Sequence, residues 1–199
     1  MAEISAAAVK ELRELTGAGF MDCKRALEET GGDVAAAVVL LRERGVASAA
    51  RKSGREANEG LIDSYIHTGG RFGALIEVNC ETDFVARTEQ FQKLTRDLAM
   101  QVVAMHAEYP TIDDIPADVL SARTAELADD ESVKAKPEHI RAQIVEGQLR
   151  KWYQQVVLTE QPFRDTDQTV GELLTSAIAT IGENIRVRRF VRYEVGEEP

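Results

Sequence analysis

The residues of this chain with the widest chemical reach are three histidines and two cysteines. His67, His106 and His139 fall on separate stretches, and Cys23 and Cys80 form no C-x-x-C pair, so the spacing spells out neither a metal motif nor a redox pair. Setting Cys80 beside a histidine as nucleophile and base would require folding to bring distant residues together. No glycine cluster continues into Gly-Lys-Ser/Thr, and neither G-x-S-x-G nor H-E-x-x-H occurs. No catalytic residue, metal ligand or cofactor is assigned, and the expectation is a protein that is not an enzyme but acts on another macromolecule. The segment that stands out is "EVNCETDFVAR", Glu77 to Arg87, where an apolar run ends in a turn that sets Phe84 beside Asp83. Thr82 or Asp83 could cap that turn by accepting backbone N–H bonds. Phe84 could fold inward onto a sheet, or project as an aromatic anchor for a partner. Periodicity leaves both open.

Composition narrows the classes. Hydrophobic residues make up 44% of the 199, enough for a core, and the net charge is -10. Polyanions would repel such a chain as a whole. The acidity is uneven: residues 1–55 hold 9 basic and 8 acidic side chains, leaving 15 and 26 for the remainder. No basic region leading into an apolar run opens the chain, and no window reaches the roughly 18 apolar residues of a membrane span. A cytoplasmic protein with reduced, buried thiols is expected.

Three helices are predicted first. Ser5 caps one reaching about Thr16, with Val9, Leu12 and Leu15 at three-residue spacing. Asp22 is placed to cap a second, and Asp33 a third that ends near Gly45. "ASAARKSGREANEG" (47–60) reads as a linker with some helical character. The period then turns strand-like: "LIDSYIH" and "RFGALIEVNC" flank Thr68-Gly69-Gly70, a hairpin signal, with Ala74, Ile76, Val78 and Cys80 on one face. Phe91, Leu94, Leu98, Val102 and Met105 mark a long helix from about Thr88 to His106. Further helices fit 117–130, 137–154 and 169–181. "IRVRRFVRYEV" alternates as a third strand, with Ile185, Val187, Val191, Tyr193 and Val195 on one side. The fold class is α+β: a three-helix module over 1–55, then an α+β core over 56–199 with a small three-stranded antiparallel sheet packed by helices.

Four ordered stretches carry a resemblance: "LRELTGAGFMDCKRAL" (12–27), "GLIDSYIHTGGRFGALIEVNCETDFVAR" (60–87), "EQPF" (160–163) and "IGENIRVRRFVRYEVG" (181–196). Together they resemble the bacterial elongation factor Ts family, in its compact single-core form, over essentially the whole chain. The resemblance implies a guanine-nucleotide exchange factor of translation elongation that binds the GDP form of elongation factor Tu. It implies that Thr82, Asp83, Phe84 and Val85 enter the partner's G domain near its magnesium site, with Phe84 as a wedge and Asp83 holding it in register. The magnesium is the partner's. The head would be a module of the ubiquitin-associated type, touching the G domain through Leu12, Phe20, Met21 and Lys24. In the core, His67 and the vicinity of Phe163 would touch the partner's third domain; the polar Arg164-Asp165 after Q-P-F departs from the apolar residues of relatives. Compact members form symmetric dimers, so a homodimer and a two-plus-two complex are expected, covering sheet edges otherwise open to pairing.

Two rivals stand beside this. A nucleic-acid-binding module could use Arg186, Arg188, Arg189 and Arg192 with Phe190 on the last strand, since arginines and an aromatic ring can stack on bases. A ubiquitin-like adaptor could be built on the head alone.

Overall fold

The computed structural model describes residues 4–164 and 166–197. Among these are nine α-helices and three strands, the α+β class expected. Two compact units are formed. One takes the chain up to Leu61 with Val78–Gln92 and Glu172–Arg186; the other takes Ile62–Glu77, Lys93–Gly171 and the chain from Val187.

The first unit opens with helices α1 (Ala6–Thr16), α2 (Phe20–Glu29) and α3 (Val34–Lys52). Ser5 caps α1 as predicted, its Oγ accepting from the Ala8 N–H at 3.2 Å. The helix stops at Gly17, whose φ of 67° suits a residue without a side chain. The start of α2 corrects the sequence reading: its N-cap is Gly19, and Asp22 lies inside the first turn, paired with Arg25. A carboxylate there still complements the positive end of the helix. Val9, Leu12, Cys23, Ala26, Leu27 and Ala37 form the core, the alanines letting the helices approach closely. Leu15, read with Val9 and Leu12 as one stripe, is exposed. Steps of three residues fall about 60° short of a full turn, so the third member has rotated off the buried face.

Helix α3 also departs from expectation, running through Gly45 to Lys52 and absorbing most of the predicted linker. Alanine and basic residues after Gly45 are strong helix formers that carry it past one glycine. Gly45 is buried, and a Cβ there would lie 3.5 Å from the Ala179 side chain, an ordinary contact. Gly45→Ala is therefore expected to stabilise the protein by about 1 kcal/mol, read from the midpoint of urea unfolding. A fall in stability would show that the helix packing tolerates no added methyl.

Strands β1 (Glu59–Ile66), β2 (Phe72–Cys80) and β3 (Arg186–Glu194) pair in the order β1-β2-β3. Gly60 lets the first two strands close, since a Cβ there would sit 2.2 Å from the Val78 carbonyl oxygen. The His67 N–H to the Phe72 oxygen and the Val195 N–H to the Arg71 oxygen, each 2.9 Å, set both registers as antiparallel. Ala74, Ile76, Val78 and Cys80 are buried on one face, as their alternation predicts. Counting along the register puts Leu75 between Ser64 and Val191, Glu77 between Ile62 and Arg189, and Gly73 between Ile66 and Tyr193. Arg189 Nε donates to Glu77 at 2.7 Å, in agreement. Ile62, Ile66, Leu75, Val191 and Tyr193 thus share the opposite face, and all are exposed.

The second unit adds the long helix α5 (Glu89–Met105), whose last turns belong to it, and a helical layer of α6 (Ala117–Asp129), α7 (Glu131–Lys134) and α8 (Glu138–Val156). Ile115, Val156 and Val157 centre that layer, with Tyr109, Leu120, Trp152 and Tyr153 packed around them. Two further helices, α4 (Asp83–Ala86) and α9 (Val170–Ile181), complete the chain.

Candidate functional site

The corner after β2 folds as the single-turn helix α4. Thr82 is its N-cap, with extended φ and ψ of -130° and 151°, and its Oγ1 accepts from the Val85 N–H at 3.4 Å. Of the two capping candidates, the threonine takes the role. Asp83 sits in the first turn, where a negative charge is favoured, and pairs with Arg87 at 2.8 Å. Thr88 closes the other side: its hydroxyl donates to the Val85 oxygen at 2.8 Å and accepts from the Phe91 N–H at 3.3 Å. Phe91 is fully buried and anchors the start of α5. Hydrogen bonds therefore lock both ends of the turn, and Ala86 points inward.

Phe84 points outward. It is 77% exposed, more than any other large apolar side chain of the described residues. Of the two orientations left open by periodicity the outward one is observed, and Ala86 is the side chain that this single turn buries. An exposed phenyl ring on a backbone held at both ends loses little further freedom when it meets a partner.

Cys80, beside this corner, is no nucleophile. It is buried, its thiol donates to the Thr82 oxygen at 3.1 Å, and burial, with the Glu183 charge adding to it, pushes its pKa up to about 11. Among the described residues no group of three or more His, Cys, Asp or Glu could hold a metal ion, and no helix is long and apolar enough to cross a membrane.

The head separates its predicted contacts. Leu12 is 0% exposed and cannot meet a partner; this corrects the expectation, because its methyls fill the core between the three helices. Phe20 and Met21, 51% and 59% exposed, lie at the open start of α2, where the Gly19 cap brings no side chain over them. Lys24 lies one turn on, exposed, with its ammonium 3.8 Å from Glu28. Leu15, not singled out from the sequence, is exposed as well; its lag on the helical wheel was the signal that could have found it.

His67 stands at the tip of the hairpin, exposed, with Nδ1 3.0 Å from the Tyr65 hydroxyl and its ring against Phe72. Phe163 is half-buried on the turn after α8, and the Arg164 guanidinium lies 5.1 Å from its ring centre. Arg164 also pairs with Asp97 at 2.6 Å. Asp165 lies outside the described residues. Gln161 fixes this turn from within: fully buried, its amide donates to the Met105 and Gln155 oxygens at 3.0 and 2.9 Å. The basic last strand is heavily paired: Arg192 bonds Glu194 and Glu197, Arg189 bonds Glu77, and Arg186 donates to the Ala57 oxygen.

The family pattern described as "Elongation factor TS" matches residues 3–197. A curated elongation factor Ts of Desulforamulus reducens is 52% identical over 198 residues, covering 99% of this chain and 91% of that protein. One of Carboxydothermus hydrogenoformans is 51% identical over 195 residues, covering 98% and 90%. One of a Cyanothece species is 52% identical over 199 residues, covering 99% of this chain and 76% of that longer protein.

Proposed function

Because the chain belongs to the elongation factor Ts family, we propose that it works on elongation factor Tu in its GDP form, with Phe84 as the part that reaches the partner's magnesium site. As a member it is a nucleotide exchange factor of translation elongation. The observation that carries the finer reading is the exposed Phe84 on a turn hydrogen-bonded at both ends. The ring enters between side chains beside the partner's Mg²⁺, and Asp83 holds the segment in register through hydrogen bonds to the partner. Displacing the metal removes the positive charge that screened the nucleotide phosphates from the acidic groups around it. GDP then leaves faster with no bond made or broken in the protein. Linkage requires that nucleotide weakens the factor's affinity as much as the factor weakens the nucleotide's. The test is release of fluorescent GDP from elongation factor Tu on adding the protein; an unchanged release rate with active partner overturns the reading.

The head, residues 1–55, docks on the G domain away from the wedge, through Phe20, Met21 and Lys24, joined by Leu15. Met21 is the adaptable anchor, an unbranched apolar side chain held at the surface. Met21→Ala is expected to weaken association about three- to tenfold without slowing GDP release at saturating factor, measured by titrating the factor in that assay. An unchanged half-saturation point would remove Met21 from the contact. In the core, His67 and Phe163 meet the partner's third domain. Arg164 supplies charge there, and its bond to Asp97 holds it against the Phe163 ring.

A second copy covers the open sheet face. Ile62, Ile66, Leu75, Val191 and Tyr193 expose on one side what a soluble monomer rarely leaves contiguous. A two-fold axis makes such a patch its own complement and yields the two-plus-two complex. No direct role for nucleic acid is assigned, because carboxylates engage Arg189 and Arg192 of the basic strand. The site of action is the cytoplasm, where translation elongation takes place.

A further inference from the structure

The segment Gly182-Glu183-Asn184 ends α9 and carries no role in the reading above. The contacts of its Glu183 carboxylate all lead to the corner. Glu183 Oε2 accepts from the backbone N–H groups of Glu81 and Thr82, each at 3.0 Å. Glu183 Oε1 accepts the Thr82 hydroxyl proton at 2.7 Å. The exchange is reciprocal: Glu81 Oε1 accepts from the Asn184 N–H at 2.6 Å, and the Asn184 amide donates to the Arg55 and Ser53 oxygens at 2.8 and 3.4 Å.

The threonine makes this more than an anchor. A hydroxyl has one proton and accepts through its lone pairs. With the Thr82 proton directed to Glu183, a lone pair faces the Val85 N–H, the bond that caps α4. The carboxylate therefore sets both the backbone and the hydroxyl rotor from which the turn starts. Bonds from an ionised acceptor are stronger than neutral ones, so three on one half-buried carboxylate form a firm clasp.

We propose that Glu183 is a positioning residue for nucleotide exchange, presetting the one-turn helix that presents Phe84. This rests on the reading that Phe84 acts on the partner. Glu183→Gln keeps the shape but turns one acceptor into a donor facing N–H and O–H groups that need acceptors. The full chain carrying it should keep its helical circular dichroism and release GDP from elongation factor Tu about tenfold more slowly at saturating factor. Amide hydrogen exchange over residues 81–86 should quicken about tenfold while that of α1–α3 stays as in wild type. The double variant Phe84→Ala/Glu183→Gln should be no slower than Phe84→Ala alone, since a residue acting through Phe84 has nothing left to position. Wild-type release by Glu183→Gln, unchanged amide exchange, or full additivity with Phe84→Ala would each overturn the proposal. The reading beneath it fails separately, if Phe84→Ala alone releases GDP at the wild-type rate.

Discussion

Phe84→Ala is expected to leave the fold intact and to remove most of the exchange activity. The ring is 77% exposed, so truncating it gives up little buried area, and unfolding stability should change by less than about 0.5 kcal/mol. A central aromatic anchor in an interface costs about 2–4 kcal/mol when truncated, which corresponds to roughly thirty- to thousandfold in release rate. Stopped-flow release of fluorescent GDP from elongation factor Tu measures it. The metal supplies a sharper check. If the ring acts by displacing the partner's Mg²⁺, chelating that ion beforehand does its work in advance, and the gap between wild type and variant narrows. A gap that persists undiminished under chelation would mean that Phe84 acts elsewhere on the partner. A variant that matches wild type throughout would leave exchange to Asp83 and the head.

Leu75→Glu is expected to abolish the dimer proposed above. Leu75 lies at the middle of the open sheet face, between Ser64 and Val191, and is exposed in the single chain, so the substitution does not disturb the core. In a two-fold dimer the carboxylate enters the interface twice. Burying a charge without a partner costs several kcal/mol, and even about 2 kcal/mol per copy weakens association roughly a thousandfold. Sedimentation equilibrium across a concentration series should show wild-type dimers and monomeric variant. Wild type that is monomeric at the highest concentration, or a variant that dimerises as wild type does, would give the face another purpose. The intrachain Glu77–Arg189 pair on the same face marks its charged side, and Arg189→Ala should cost far less than Leu75→Glu, as exposed pairs generally contribute under about 1 kcal/mol.

Much of the fold was legible residue by residue. Ser5 and Asp33 cap where a short polar side chain precedes an apolar period. The hairpin turns at its glycines, and Thr88 starts the long helix by accepting from Phe91. These features depend on neighbours within a few residues, which a sequence displays. Where the reading slipped, a distant contact or a small rotation decided. Gly45 reads as a stop, yet the helix continues through it, buried where Ala179 from far along the chain packs nearby. Three-residue spacing placed Leu15 with Leu12, but the drift of the helix puts one in solvent and the other in the core.

The candidate site divides in the same way. The sequence by itself determined the family, through four ordered motifs, and with it the proposal that Thr82-Asp83-Phe84-Val85 is the segment that acts on the partner. It also determined which residues share a side of each strand, because alternation is a local property of extended backbone. It could not determine which side faces water. Only the tertiary structure decided that the apolar side of β2 is buried while Val191 and Tyr193 of β3 look outward, that Leu12 packs inside, and that Phe84 points away from its own protein. The Glu183 clasp on Thr82 joins residues 101 positions apart, and nothing in the spacing of either segment announces it. Periodicity records a residue's neighbours along the chain; burial and hydrogen-bond partners are set by which surfaces meet in space.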